Sequence, residues 1–243
     1  MERNEKEKFI VIDREELAVL KSLNLLGQGF SGIGYQLNDE EVFKLLLNDM
    51  IDISDLKYFT TIENESFTFP RFLVFLDNIN PNSLVGYTMK YHRGNDFRKL
   101  DPDINMDELL KACEIVEGDI REVTIKNGVY LEDINPSNVI YTPDKEVKVI
   151  DTDLSFYFPS ETEYELYKHG MYEWGNFLLC MLAKDYPYKN ERINQLYEDC
   201  IFSGSVKPTR IINYLREEIV NETGTNPESL GEYQEALQLV RRK

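Results

Sequence analysis

Short apolar runs alternate with polar turns through the N-terminal part of this chain. The runs cover residues 21–26, 33–37, 41–46, 71–76 and 84–91. The turns between them include Asn38-Asp39-Glu40 and the Asn-rich segment 78–82. Runs of this length between turn residues are typical of strands joined as hairpins. The first part of the chain is therefore expected to contain a β-sheet.

Helical spacing is frequent elsewhere. Residues 13–20 predict a short helix, and residues 54–64 predict another with Leu56, Phe59 and Ile62 at intervals of three. Asn105 is a predicted helix cap, with Glu108 three residues after it. From there, one apolar helix face continues to Val123. Residues 171–183 form a second apolar run, which predicts a buried helix. The later part of the chain is therefore expected to be mainly helical.

The segment from Leu131 to Asn138 carries the most specific chemistry. Asp133 and Asn138 stand in a D-x4-N spacing, and Asp151 follows Asn138 after thirteen residues, behind a predicted hairpin at 139–150. In a phosphoryl-transfer site, the first carboxylate receives a hydroxyl proton. The amide oxygen and the second carboxylate hold a metal ion against nucleotide phosphates.

A glycine-rich turn precedes this segment in the chain. Residues Gly27, Gln28, Gly29, Phe30, Ser31 and Gly32 form a G-x-G-x-x-G pattern, and Lys44 follows inside an apolar run. The same pattern opens dinucleotide-binding units, but there a helix comes directly after it. Here strand, turn and strand follow, which favours a β-hairpin folded over phosphates.

These four signals in this order resemble the protein-kinase-like superfamily over about residues 20–185. The likeness is to an atypical serine/threonine kinase of bacterial or phage type. It implies an α+β, two-lobed fold, with a small antiparallel β-sheet lobe at 1–91 and a mainly helical lobe at 92–243. It also implies that ATP binds in the cleft between the lobes.

The resemblance assigns roles to single residues. Lys44 would hold the α- and β-phosphates under the loop of Gly27–Gly32, and Glu63 or Glu65 would pair with Lys44; Glu63 is the preferred candidate. Asp133 would be the catalytic carboxylate, and Asn138 and Asp151 would bind Mg2+. Asp153 is expected either to bind the metal too or to serve only in a turn. The adenine contacts implied by the resemblance are Met89, Lys90, Tyr91 and His92.

The chain also departs from the family pattern. Leu131 and Glu132 occupy the places of the usual His and Arg, so the Arg that grips a phosphorylated loop is absent. No A-P-E signature precedes the predicted helix at 171. We therefore expect an ATP- and Mg2+-dependent kinase acting on a hydroxyl acceptor, a protein more than a small molecule. The alternatives are a small-molecule kinase of the aminoglycoside or choline kinase type and a pseudokinase that binds nucleotide for regulation.

The composition of the chain limits the classes of partner that are expected. The net charge of −17 over 243 residues disfavours nucleic acid as a partner. No segment has the apolar length of a membrane span or a signal peptide, so a cytoplasmic protein is expected. Cys113, Cys180 and Cys200 show no metal or disulfide spacing, and Cys113 and Cys180 are expected in the core. The sequence leaves the oligomeric state undetermined.

Overall fold

The computed structural model describes residues 2–47, 51–183 and 191–241. The first part is a seven-stranded sheet in the order β1-β2-β6-β7-β5-β4-β3. Its strands are β1 (Glu2–Asn4), β2 (Phe9–Ile12), β3 (Asn24–Gln28), β4 (Gly32–Gln36), β5 (Glu41–Leu46), β6 (Phe72–Leu76) and β7 (Leu84–Lys90). The hairpins predicted in this region are confirmed, because β3, β4 and β5 pair antiparallel in sequence and β6 pairs antiparallel with β7.

Two strands at the N-terminus extend this sheet beyond the prediction. β2 pairs parallel with β6, in a register that places Ile10 opposite Val74, and β1 adds to its other edge. Ile10 and Ile12 are buried, as the apolar run 9–12 requires. Because β2 pairs in parallel with a strand some sixty residues later, no local turn signal indicates it, and this strand was not predicted from the sequence.

One helix covers each face of the sheet. On one face α1 (Arg14–Lys21) packs Leu17 and Leu20 against a cluster that includes Phe43 of β5. Asp13 starts α1 with a capping box to Glu16, which confirms the predicted helix. On the other face α2 (Ile53–Phe59) packs Leu56 against Val42, Leu73, Phe75, Tyr87 and Met89. Lys44 alternates with Phe43, so its side chain lies on the α2 face.

The helix α2 is shorter than the predicted 54–64. It ends at Phe59, where the hydroxyls of Thr60 and Thr61 donate to the carbonyls of Lys57 and Tyr58. Hydroxyls that bond to nearby carbonyls offer the backbone an alternative to helix. The Asn64 side chain then accepts from two following backbone amides and turns the chain.

In the described ranges, the second part contains five α-helices. They are α3 (Met106–Arg121), α4 (Glu163–Leu182), α5 (Glu191–Ser203), α6 (Pro208–Thr223) and α7 (Leu230–Arg241). The predicted cap is confirmed, since Asn105 accepts from the amide of Glu108 at the start of α3. The predicted helix at 171–183 is part of α4, which begins eight residues earlier. Cys113 is buried as expected, whereas Cys180 is exposed on α4, a correction to its expected place in the core.

Two small sheets position the segments between α3 and α4. β8 (Asn95–Asp96), β10 (Val139–Tyr141) and β11 (Val147–Val149) form one sheet, which confirms the hairpin before Asp151. β9 (Val129–Tyr130) pairs with β12 (Phe156–Tyr157) in the other. The D-x4-N segment therefore leaves β9 and enters β10, while the segment after Asp151 returns to β9. In the described ranges, no helix is both long enough and apolar enough to cross a membrane.

Candidate active site

Lys44 stands at the centre of a buried polar cluster. Its ammonium donates to Ser31 Oγ at 2.7 Å, to Asp153 Oδ2 at 2.8 Å and to Asp151 Oδ1. The side chain of Asp153 is fully buried, whereas that of Asp151 is 25% exposed. The Tyr87 ring lies 5.9 Å from the ammonium. Residues from the glycine loop, the sheet and the segment after the β10–β11 hairpin thus converge on one cation.

The two carboxylates have different environments. Burial raises the pKa of Asp153 above its ordinary 3.8; the Lys44 charge opposes this and Asp151 adds to it. Burial, followed by Asp153 and Asp151, also raises the pKa of the Tyr87 phenol well above its ordinary value. The phenol approaches Asp153 without a hydrogen bond of ordinary geometry. Asp153 Oδ1 is therefore buried with no hydrogen-bond partner among the described residues.

The segment from Asp133 to Asn138 is held in one shape by its own side chains. The carboxylate of Asp133 accepts from Asn135 Nδ2 at 2.8 Å and from Asn138 Nδ2 at 3.0 Å. The Asn138 carbonyl accepts from Ile150 N at 2.8 Å, which joins this segment to the residue before Asp151. Asp133 and Asp151 both adopt left-handed backbone, with φ of 60° and 65°. Such a conformation costs about 1–3 kcal/mol and is concentrated at functional sites.

The glycine loop joins β3 to β4 at the edge of this cluster. Gly29 N donates to the Gly32 carbonyl at 2.9 Å, which closes a tight turn. A side chain at Gly32 would place its Cβ 2.5 Å from the Leu45 carbonyl, so this position accepts only glycine. Gly27 and Gln28 lie in β3, and Phe30 at the tip of the turn is 71% exposed. Ser31 is buried against Lys44.

The structure corrects the expected partner of Lys44. Glu63 follows the end of α2 and lines a cavity of about 870 Å³ together with Glu65 and His92. Among the described residues, the acids paired with Lys44 are Asp151 and Asp153 and not Glu63 or Glu65. Asp153 therefore supplies the buried carboxylate that the sequence placed on the helix.

The predicted adenine contacts divide into two sets. Met89 is buried on the same face of the sheet as Lys44 and Val42, facing the cluster. Lys90, Tyr91 and His92 instead line the cavity that contains Glu63, away from Lys44 and Asp133. There the His92 ring contacts the Thr68 hydroxyl at 2.9 Å, and burial lowers the pKa of His92 to about 4.

Sequence reasoning missed three residues near the catalytic segment. Tyr87 could have been found, because it precedes Met89 by two positions on the same strand face. His169 and Glu173 on α4 lie beside Glu132, but they are 36 and 40 positions after Asp133 and no spacing in the sequence marks them.

The segment after Asp151 is short and fixed by backbone contacts. It spans eleven residues, 152–162, before α4 begins at Glu163. Ser155 Oγ accepts from Glu132 N at 3.1 Å, and Phe158 N donates to the Gly128 carbonyl at 2.9 Å. Thr152 Oγ1 donates to the Thr68 carbonyl at 2.9 Å. These contacts order the segment with no charge from a phosphate group.

Comparison with known proteins supports the fold class. No family model matches the chain, and no curated protein matches it in sequence. Among solved structures, 1764 chains match. The β-sheet N-terminal region and helical C-terminal part form a protein-kinase-like fold, which confirms the predicted fold class.

One of the matching structures is the apo form of the GRMZM2G135359 pseudokinase. The alignment covers 97% of this chain and 98% of that chain, with a TM-score of 0.51 and 11% identity. At this identity the likeness shows the fold and leaves activity to be argued from the site.

Proposed function

We propose that this chain is an ATP- and Mg2+-dependent phosphotransferase that moves the γ-phosphoryl group to a hydroxyl, as an atypical serine/threonine protein kinase. The observation that supports this most is the contact of Lys44 with Asp151 and Asp153, which follow the β10–β11 hairpin, while Asp133 and Asn138 lie in the loop just before that hairpin. Phosphoryl transfer of this type uses a Lys, two Asp and an Asn. Lys44 pairs with Asp151, Asp133 pairs with Asn138, and a backbone bond from Ile150 N to the Asn138 carbonyl joins the two segments.

The oxygen donors near Lys44 fit a magnesium ion. Mg2+ prefers carboxylate and amide oxygens. Asp151 is partly exposed, and Asn138 Oδ1 has only a long contact of 3.4 Å with Ser137 among the described residues. Asp153 Oδ1 is buried without a hydrogen bond. Asn138, Asp151 and Asp153 would therefore hold Mg2+, which when bound neutralises charge on the phosphates.

The protein side chains have separate tasks in this proposal. Lys44 binds phosphate oxygens beneath the loop of Gly27–Gly32. To do so, its ammonium gives up the contact with either Asp151 or Asp153. Asp133 orients the acceptor hydroxyl and receives its proton, because two side-chain amides fix the direction of its carboxylate. The rate then depends on positioning and charge neutralisation more than on covalent chemistry.

Two observations favour alternative functions. The eleven residues between Asp151 and α4 leave little chain for docking a peptide, which favours a small hydroxylated acceptor. The ammonium of Lys44 already has three partners, which favours a regulatory pseudokinase in which nucleotide does not displace them. Each alternative predicts a different result in one assay.

The assay incubates the purified full chain with labelled ATP and Mg2+, with casein-type proteins and a panel of small alcohols as acceptors. Label on protein supports the proposal, and label on an alcohol supports the small-molecule alternative. Mg2+-dependent ATP binding without transfer to any acceptor supports the pseudokinase. Absence of ATP binding would overturn all three.

Two variants separate binding from transfer. Asp133→Asn is expected to abolish transfer and to leave ATP affinity nearly unchanged, because its carboxylate acts on the acceptor. Asp151→Asn is expected to weaken Mg2+-dependent ATP binding and turnover together, because a metal ligand is lost. Asp144→Asn makes the same chemical change in an exposed turn and serves as the control. Unchanged turnover in Asp133→Asn would remove Asp133 from its role.

A further inference from the structure

Glu132, His169 and Glu173 face one another beside the catalytic segment. His169 and Glu173 are four residues apart on α4 and so lie on one face of the helix. Glu132 comes from the segment after β9, next to Asp133. One ligand atom from each of the three residues lies within 4.8 Å of the others. We propose that these three side chains bind a divalent transition-metal ion of the Zn2+ class.

The orientation of His169 is the main support for this site. Its Nε2 atom is buried and has no hydrogen-bond partner of ordinary geometry among the described residues, and it lies at ion-pair distance from Glu132. A buried imidazole nitrogen of this kind, beside carboxylate oxygens, is a donor atom that a metal ion would coordinate.

The distance from His169 to Glu132 agrees with metal coordination. Nε2 lies 3.5 Å from Glu132 Oε1, beyond the range of about 2.7–3.2 Å for a well-formed N–H···O hydrogen bond. Two ligands about 2.05 Å from a tetrahedral ion are separated by about 3.4 Å. The gap between these atoms therefore has the length of an edge of a zinc coordination shell. The Tyr130 ring stacks on His169 at 3.8 Å and limits its rotation.

The charges of the cluster also favour a cation. Glu132 and Glu173 bring two carboxylates within 4.8 Å of each other and of a ring nitrogen of His169. No Lys or Arg forms an ion pair with Glu132 or Glu173 within the described part of the chain. One nitrogen and two carboxylate ligands suit a transition metal better than Mg2+.

This site uses none of the residues proposed to bind ATP and Mg2+. An ion there would join the backbone around Leu131 and Glu132 to α4, next to Asp133. Its binding can therefore be tested without nucleotide, and the result is independent of whether the chain transfers phosphate. A positively charged group of an acceptor is the competing occupant.

The test titrates the full chain, after removal of metals by a chelator, with Zn2+ or Co2+ in excess Mg2+ and without nucleotide. Equilibrium dialysis measures the bound metal, and the visible absorption of Co2+ reports ligand geometry. We expect one ion per chain, and we expect Glu132→Gln, His169→Gln and Glu173→Gln each to weaken binding at least about tenfold. Circular dichroism shows whether each variant folds, and the two Glu variants test the site independently if His169→Gln does not fold.

Two control variants locate the ion. His92→Gln removes the other histidine of the chain, which contacts Thr68 in a different cavity, and should leave binding unchanged. Asp151→Asn should also leave it unchanged. Three results would overturn the proposal: no uptake of either metal, equal loss in His92→Gln, or loss in Asp151→Asn with retention in His169→Gln. So would a Glu173→Gln variant that binds metal normally and loses affinity only for a lysine-rich peptide.

Discussion

Replacement of Lys44 tests the polar cluster at the centre of the proposed site. In Lys44→Met, the carboxylates of Asp151 and Asp153 remain close together without their shared cation. At 2.8 Å and an effective dielectric constant of about 20, the attraction between Lys44 and Asp153 is about 6 kcal/mol before desolvation is subtracted. Removal of one partner from a buried pair typically costs about 3–5 kcal/mol. We expect a loss of that size at pH 7.

The dependence of this stability loss on pH provides a second, independent test of the prediction. The pKa of Asp153 is already raised above 3.8 in the folded protein, and loss of the Lys44 charge should raise it further. A carboxyl group whose pKa is raised by folding has no effect on stability below its unfolded pKa. It lowers the free energy of unfolding as the pH rises toward and through its folded pKa. The cost of Lys44→Met should therefore shrink as the pH falls from 7 toward 4.

Urea denaturation measures both quantities. Trp174 is the one tryptophan of the chain and is fully buried, so its fluorescence reports unfolding, with circular dichroism as a second probe. Lys57→Met changes an exposed lysine on α2 and should stay within about 0.5 kcal/mol of wild type. Lys44→Met with Asp153→Asn should recover part of the loss, because one unpaired carboxylate is removed. If Lys44→Met costs no more than Lys57→Met, or costs the same at pH 4 and pH 7, the cluster does not act as described.

Three further predictions concern stability and regulation. Glu117→Ala should lower the free energy of unfolding, measured by urea denaturation, by about 2–4 kcal/mol. The buried carboxylate of Glu117 accepts hydrogen bonds from the amide and hydroxyl of Thr209, at 2.9 and 2.8 Å, at the start of α6. Glu114→Ala, at an exposed position, is the matched control, and equal losses in the two variants would contradict the role of Glu117 as a cap. At pH values above 7, Glu173→Gln should raise the urea midpoint of the metal-free protein, and near pH 4 it should leave the midpoint unchanged. The reason is that the pKa of Glu173 is raised to about 7 in the folded protein, so its charged form lowers stability only at higher pH. A constant shift of the midpoint at all pH values would contradict this. Exhaustive dephosphorylation should leave initial kinase rates unchanged, since Glu132 replaces the phosphate-binding Arg and would repel phosphate; a large fall that autophosphorylation restores would show another cation at work.

The parts of the fold that the sequence predicted correctly depend on local signals. The β3–β4 and β10–β11 hairpins are marked by turn residues between apolar runs, and the start of α3 is marked by the Asn105 cap. Asp133 and Asn138, which the sequence places five residues apart in one D-x4-N segment, are also in contact in that loop. In each case the interacting residues are close in sequence, so the pattern contains the geometry.

The parts that sequence reasoning missed depend on contacts between distant residues. The pairing of β2 with β6 joins residues about sixty apart, and the Lys44–Asp153 bond joins residues 109 apart. The acid partner of Lys44 could not be chosen from spacing, because Glu63, Glu65 and Asp153 all satisfy the requirement for a carboxylate. The helix α2 ends at Phe59, so Glu63 lies outside the helix and is not the acid paired with Lys44.

The exchange of Glu63 for Asp153 changes how the site is assembled. A partner on a mobile helix would make the position of Lys44 depend on that helix, whereas Asp153 lies two residues from Asp151 on the same fixed segment. The helix α2 is itself attached to the helical region: the Tyr58 hydroxyl donates to the Asn127 carbonyl at 2.7 Å, and the Tyr58 ring lies 4.1 Å from that of Tyr157. The short segment after Asp151 is held by its pairing with β9 and by the contact between Ser155 Oγ and Glu132 N, and Lys44 and Asp151 are in contact in this arrangement. In the proposed function, binding of nucleotide and Mg2+ would therefore be the step that changes the partners of Lys44.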